Sequence, residues 1–173
     1  MIPLLLAHPD IDVNVKDVNV WTPFFHACAD GSTPCVRALL KDSRVNVNEP
    51  DNGGHTPLWR AALNGYLDVI RWWIATGREM NFETPGDVDR TDAIGIAYMY
   101  SQPEVATLLE RFKDNRVETR HTLRVELGWY DEMAAEMFAL VVFVSDGLLQ
   151  IKDTAASPAA KFFSIVAQLP LEL

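Results

Sequence analysis

Over the first two-thirds of the chain, short apolar runs at helical spacing come in pairs, each pair broken by a glycine turn. Thr22-Pro23-Phe24-Phe25-His26-Ala27-Cys28 and Thr56-Pro57-Leu58-Trp59-Arg60-Ala61-Ala62 each set a hydroxyl before a proline suited to a first helical turn. Gly31 and Gly65 stand where those helices end and a positive φ is needed. Val36, Leu39 and Leu40, then Ile70, Trp73 and Ile74, supply the apolar stripe of a second helix in each pair. Thr22 to Thr56, Ala27 to Ala61 and Gly31 to Gly65 are each 34 residues apart, and Asn14, Asn48 and Asn81 keep nearly the same step. One pair of helices cannot bury its stripe on both sides, so the pattern predicts stacked repeats.

A third copy is degenerate. Asp92-Ala93-Ile94-Gly95-Ile96-Ala97 stands in for the Thr-Pro helix, and Val105-Ala106-Thr107-Leu108-Leu109 for the second one. Pro3-Leu4-Leu5-Leu6 followed by Asp12-Val13-Asn14 reads as the end of an earlier copy. After about Asn115 the period disappears. Arg116 to Leu127 reads as a polar helix carrying Leu123 and Leu127 and ending at Gly128. Asp131 is placed to cap a helix from Glu132 to about 150, dense in Met133, Met137, Phe138, Leu140, Val141, Phe143, Val144 and Leu148. Val141 to Val144 also reads as a buried strand, although the Ala-Ala-Glu-Met-Phe-Ala entry favours helix. A linker at 152–157 leads to Pro158 and a last helix with Phe162, Phe163, Ile165, Val166 and Leu169.

Asp17-x-x-x-Trp21-Thr22-Pro23 and Asp51-Asn52-Gly53-Gly54-His55-Thr56-Pro57-Leu58, with the downstream Ala pair, Gly and V-x-x-L-L helix, resemble the ankyrin repeat. The resemblance covers about residues 2–113. It departs from the family pattern at Val20, which replaces the tip glycine, and at Phe25 and Trp59, which replace the usual His. It implies an all-α ankyrin solenoid of helix-turn-helix units with β-hairpin tips, and a C-terminal helical cap is expected because a repeat stack exposes an apolar end face unless a polar-backed element covers it. The expected organisation is a partial repeat at 1–16, repeats at about 17–50, 51–86 and 87–114, and an extension at 115–173.

Composition adds exclusions. Fifteen Lys and Arg against 24 Asp and Glu give a net charge of −9, which lacks the cationic field that nucleic acid or an anionic membrane rewards. Two cysteines in 173 residues rule out a disulfide framework. Met1 to Ala7 has no basic n-region, and the longest apolar run, Met137 to Val144, is bracketed by charge and too short to span a bilayer. The expected location is cytoplasmic or nuclear.

Catalytic and metal chemistry find little support. His26, Cys28 and Cys35 lack C-x-x-C or ligand spacing, and Cys28 occupies a small-residue core position. Asp10, Asp12, Asp17, Asp51, Asp87 and Asp89 lack the spacing of a calcium loop and suit turns closed by their own side chains. Glu132 and Glu136 share a helix face as a solvated pair, and no phosphate-cradling or nucleophile motif occurs. No enzyme activity, cofactor or metal is expected.

The resemblance implies recognition on the concave side, with hairpin tips as fingers and first helices as palm. By position the expected partner-binding residues are Asn19, Trp21, Asp30, Asn52, His55, Leu63, Asn64, Asp89, Met99 and Tyr100. Val18, Val88, Thr91 and Ala29 extend the same face. Trp21 also has a packing role open to it, filling in beside Val20. Of Trp72 and Trp73, one is expected in the core and the other partly exposed on the convex side. The expected partner is a protein with a Lys- or Arg-bearing segment, bound by a monomer. The alternatives are a structural fragment of a larger ankyrin protein, or an adaptor whose C-terminal helices oligomerise or dock.

Overall fold

The computed structural model describes residues 6, 8, 10–82, 91–135 and 137. The chain divides into two compact units, Met1–Leu127 and Gly128–Leu173. In the first unit the helices run α1 (Pro23–Ala29), α2 (Thr33–Leu40), α3 (Pro57–Leu63), α4 (Leu67–Thr76), α5 (Ala93–Met99), α6 (Pro103–Asp114) and α7 (Arg116–Glu126). No strand forms among the described residues, so the fold is an all-α solenoid. The two expected β-hairpin tips among the described residues are bare turns. Asp17 N–H donates to the Trp21 carbonyl at 3.0 Å, and Asp51 N–H to that of His55 at 3.0 Å, closing each tip without a strand ladder.

The local chemistry of each helix start repeats. Thr22 Oγ1 accepts from the Phe25 N–H and Thr56 Oγ1 from the Trp59 N–H, both at 3.2 Å. Asp92 does the same for Gly95 at 2.8 Å, so the degenerate third copy keeps its N-cap with a different residue. Each inner helix turns into its outer helix through one recurring bond. Ser32, Tyr66 and Gln102 N–H groups donate to the Ala27, Ala61 and Ala97 carbonyls at 2.9, 3.0 and 2.8 Å. The turn needs a positive φ at Gly31 (+68°) and Gly65 (+73°), and in the third copy Ser101 adopts it at +58°.

Stacking runs in two rows. α1 packs on α3 and α3 on α5 in the inner row, and α2 packs on α4 in the outer row. The rows meet in a continuous core in which Phe24 of α1 sets its edge against Trp73 of α4, centroids 4.9 Å apart. Trp73 is fully buried, whereas Trp72 is half-buried under the Arg37 guanidinium at 3.7 Å, the split expected of the pair. Cys28 is fully buried at a core position.

Polar rungs hold the tails of successive repeats in step. Asn14 donates to the Arg44 carbonyl at 2.9 Å and accepts from the Asn46 N–H at 2.7 Å. Asn48 repeats this with the Glu79 carbonyl at 3.2 Å and the Asn81 N–H at 2.9 Å. Arg44 reaches back to the Leu6 carbonyl at 2.7 Å, and Arg78 to the carbonyls of Asp42, at 2.9 Å, and Val45. α7 continues the device differently. It packs against α4 and α6, and its Arg120 and Arg124 donate to the last carbonyls of α4, Ile74 at 3.2 Å and Ala75 at 2.7 Å. These carbonyls lie at a helix C-terminus, which favours cations, and that of Ile74 also accepts the Gly77 N–H at 3.2 Å.

In the third copy, alignment on the N-caps puts Leu109 at the position of Trp73 and Glu110 at that of Ile74. The sequence pattern, read as V-x-x-L-L, sits one residue out of that register. In the second unit, Gly128 has φ +64° and residues 129–135 are helical, so this helix starts at Trp129, with Asp131 in its first turn rather than capping a start at Glu132. The predicted elements from 138 onward lie outside the described residues.

Candidate functional site

The tips are built by their own aspartates. Asp17 Oδ1 accepts the Asn19 and Trp21 N–H groups, both at 2.8 Å, and Asp51 Oδ1 accepts those of Gly53 and His55, both at 2.9 Å. Each tip aspartate then pairs with the side chain nine residues on, which sits on the following inner helix. His26 Nε2 lies 3.0 Å from Asp17 Oδ2, and Arg60 Nη2 lies 3.0 Å from Asp51 Oδ2. The Trp21 N–H bond, with those from Asn19 and the His26 ring, holds the exposed Asp17 carboxyl below its usual range. At Asp51 burial pushes the carboxyl up. The Arg60 guanidinium, the His55 N–H and the His55 ring outweigh burial and hold it below the ordinary value.

Above these pairs lies an aromatic strip that crosses from one repeat to the next. Trp21 packs at 4.7 Å on Phe25 and 5.0 Å on His26, so one of its faces serves packing. The Arg60 guanidinium stands 5.7 Å from the Trp21 ring and 5.5 Å from the Trp59 ring. His55 continues the strip at 4.3 Å from Trp59, and the Trp59 indole N–H donates to the Thr91 carbonyl at 3.2 Å, tying it to the third repeat.

Of the residues expected to bind a partner, Trp21 and His55 fall on this strip, both half-buried. Asn19 and Asn52 are exposed on the tips. Asp30 is exposed at the end of α1. Asn64, exposed at the end of α3, donates to the Ala29 carbonyl at 3.2 Å, so it bridges two inner helices. Leu63 is turned partly into the core. Met99 and Tyr100 lie at the end of α5, exposed at 66% and 57%. Asp89 lies outside the described residues, as do Val88 and the rest of that tip. Arg60 and Asp51 were missed as parts of this face. The available signal was the shared nine-residue spacing of Asp17–His26 and Asp51–Arg60.

Among the described residues no cluster of His, Cys, Asp or Glu could hold a metal ion, and no helix is long and apolar enough to cross a membrane.

Residues 1–84 match the family model for ankyrin repeats, in three copies. The chain is 41% identical over 66 residues to SMC5-SMC6 complex localization factor protein 1 of Bos taurus and of Homo sapiens, covering 38% of this chain and 6% of each relative. It is 45% identical over 49 residues to Ankyrin repeat domain-containing protein 49 of Bos taurus, covering 28% of this chain and 21% of that protein. Alpha-latrocrustotoxin-Lt1a of Latrodectus tredecimguttatus is 30% identical over 100 residues, 58% of this chain and 7% of the toxin. The chain thus spans a small part of each of these relatives. With two regular repeats, a family-model match over residues 1–84 and a third helix pair stacked in the same manner, this part of the chain is a stack of ankyrin repeats, a kind of protein-interaction module.

Proposed function

We propose that the chain is a non-catalytic protein–protein interaction module that binds its partner on the inner-helix face. The observation that carries this reading is the strip Trp21–Arg60–Trp59–His55, which spans two repeats and presents the partly exposed Trp21 and Arg60 side chains beside the buried Trp59, Trp and Arg being residue types that dominate interface energetics. Asp17 and Asp51 are committed to their tips, so the acidic contribution to this face comes from Asp30 and, by sequence, Asp89. With the net charge of −9, these favour a partner segment that sets an apolar side chain against Trp21 and a Lys or Arg near Asp30, charge steering the on-rate more than the affinity. The chain acts as a monomer in this reading.

The test is capture of partners from a cell extract by the full chain and its variants. Proteins held by the wild type and by Val125→Ala, an exposed change on α7, are expected to be lost with Trp21→Ala plus Arg60→Ala. They are also expected to elute at lower salt from Asp30→Lys. Retention that survives Trp21→Ala, Asp30→Lys and Asp89→Lys together would falsify the inner-face reading.

A further inference from the structure

The net charge of −9 is unevenly spread. Between residues 111 and 124, at the end of α6 and along α7, Lys and Arg outnumber Asp and Glu by five to two. Three of these cations, Arg116, Arg120 and Arg124, recur every fourth residue and form one row on α7. Their side chains keep the row. Arg116 and Arg120 both stand over the Phe112 ring, at 5.8 and 5.9 Å. Arg120 and Arg124 both lie against Gly77, where an added Cβ would stand 3.6 Å from either guanidinium. Like charges one turn apart oppose each other, and Arg116 opens α7 at the helix end that favours anions. The carboxylates of α7 do not answer them. Glu118 accepts from the Asn115 side chain at 2.8 Å and Glu126 from Arg71 at 2.7 Å. Among the described residues no carboxylate pairs with Arg116 or Arg120. Lys113 and Arg116 are exposed, and Arg120 and Arg124 are half-buried.

We propose that this row is a second docking surface, and that it takes an extended acidic segment of a partner protein. Spacing sets the register. Two residues of extended chain advance about 6.6 Å and return to the same face, while four residues of helix advance about 6 Å. Carboxylates at every second residue, Asp/Glu-x-Asp/Glu-x-Asp/Glu, therefore fall one on each arginine, and each can accept a pair of N–H groups from a guanidinium fork. Lys113, three residues ahead of Arg116, extends the row to one more acid. Arg120 and Arg124 each give an Nε–H to an α4 carbonyl, which anchors the guanidinium and takes only one of its donors. So anchored, they have little side-chain freedom left to lose on binding. A short acidic segment meets the row alone, whereas a long polyanion such as nucleic acid also meets the acidic remainder of the chain.

The probe is the fluorescent peptide Glu-Thr-Glu-Thr-Glu-Thr-Glu with blocked ends, titrated with the full chain at low salt and read by anisotropy. Binding that weakens with added salt is expected, roughly threefold weaker with Lys113→Gln or Arg116→Gln and roughly tenfold weaker with both. Lys113 is exposed, so Lys113→Gln reads the row without disturbing the Arg116 contact to Phe112. Lys16→Gln, which removes a cation paired with Glu49 away from α7, is expected to leave the affinity unchanged. A peptide of the same composition with its glutamates contiguous is expected to bind less tightly, since neighbouring side chains of an extended segment face opposite ways. Absence of binding, equal loss with Lys16→Gln, or equal affinity for the two peptides overturns the proposal. So does tighter binding of an oligothymidylate of equal charge that Lys113→Gln and Arg116→Gln abolish, which assigns the row to nucleic acid. Trp21, Arg60 and Asp30 are unaltered throughout and no cell extract is used, so failure here and failure of the inner-face reading are separable.

Discussion

At the scale of single residues, two positions on the tips carry distinct costs. Val20 holds φ at +66° where the next repeat has Gly54 at +79°, and a β-branched residue is strained in that region. Val20→Gly is expected to stabilise the chain by about 1 kcal/mol, the relief of strain exceeding the entropy glycine loses. A urea midpoint that falls instead would show that Val20 packing outweighs its backbone. Asp51 titrates with a definite sign. Its native carboxyl lies below the ordinary value near ~3.9, so its contribution is complete above that pH and is lost as pH falls through the lowered native value. Asp51→Asn is expected to cost roughly 1–3 kcal/mol at pH 7, because Arg60 and two tip N–H groups lose an ionised acceptor, and to flatten the acid limb of stability below about pH 4. Urea unfolding of both chains between pH 3 and 7 checks magnitude and sign together.

Helices and turns show which constraints are local and which are not. The Arg124 guanidinium holds the Ala75 carbonyl at the end of α4, a bond to a charged donor at a part-buried site. Arg124→Ala is expected to lower stability by about 1–2 kcal/mol and to raise hydrogen exchange in the last turn of α4 before that of α1. The starts of α1 and α3 were legible, because a Thr-Pro pair and a turn glycine state their geometry within a few residues. Asn14, Asn48 and Asn81 were visible as markers of period, but their work was not, since the Asn14 and Asn48 side chains bond backbone about 30 residues on and the Asn81 N–H is one of the groups they hold. Arg44 and Arg78, also 34 apart, did not stand out in the sequence, because their acceptors are carbonyls of the preceding repeat. Arg60 was hidden for a similar reason: Trp21, the ring it stands over, belongs to the neighbouring repeat. In the third copy, Glu110 at an otherwise apolar position broke the pattern that would have set the register.

Over the whole repeat unit, stability is a sum of helix-pair terms and the seams between them, so an element's worth depends on how many seams it closes. α7 closes two, against α4 and α6, burying Leu123 and Thr119, setting Arg116 and Arg120 within 6 Å of the Phe112 ring (5.8 and 5.9 Å), and satisfying the α4 carbonyls. Two truncations, after Leu127 and after Asp114, differ by α7 and its flanking residues Asn115 and Leu127. The shorter chain is expected to be less stable by on the order of 3–5 kcal/mol, since it loses the burial of Leu123, uncovers part of Phe112 and removes the arginine donors from two helix-end carbonyls. The loss should also be uneven. The first repeat meets α7 only through intervening helices, whereas α4 and α6 touch it directly. The shorter chain should therefore unfold with a broader transition, its third helix pair exchanging amide hydrogens well before α1 and α2. Equal stability of the two truncations would mean that the α4–α6 seam is closed without α7, and that the family pattern ending near residue 113 marks the true physical end of the stack.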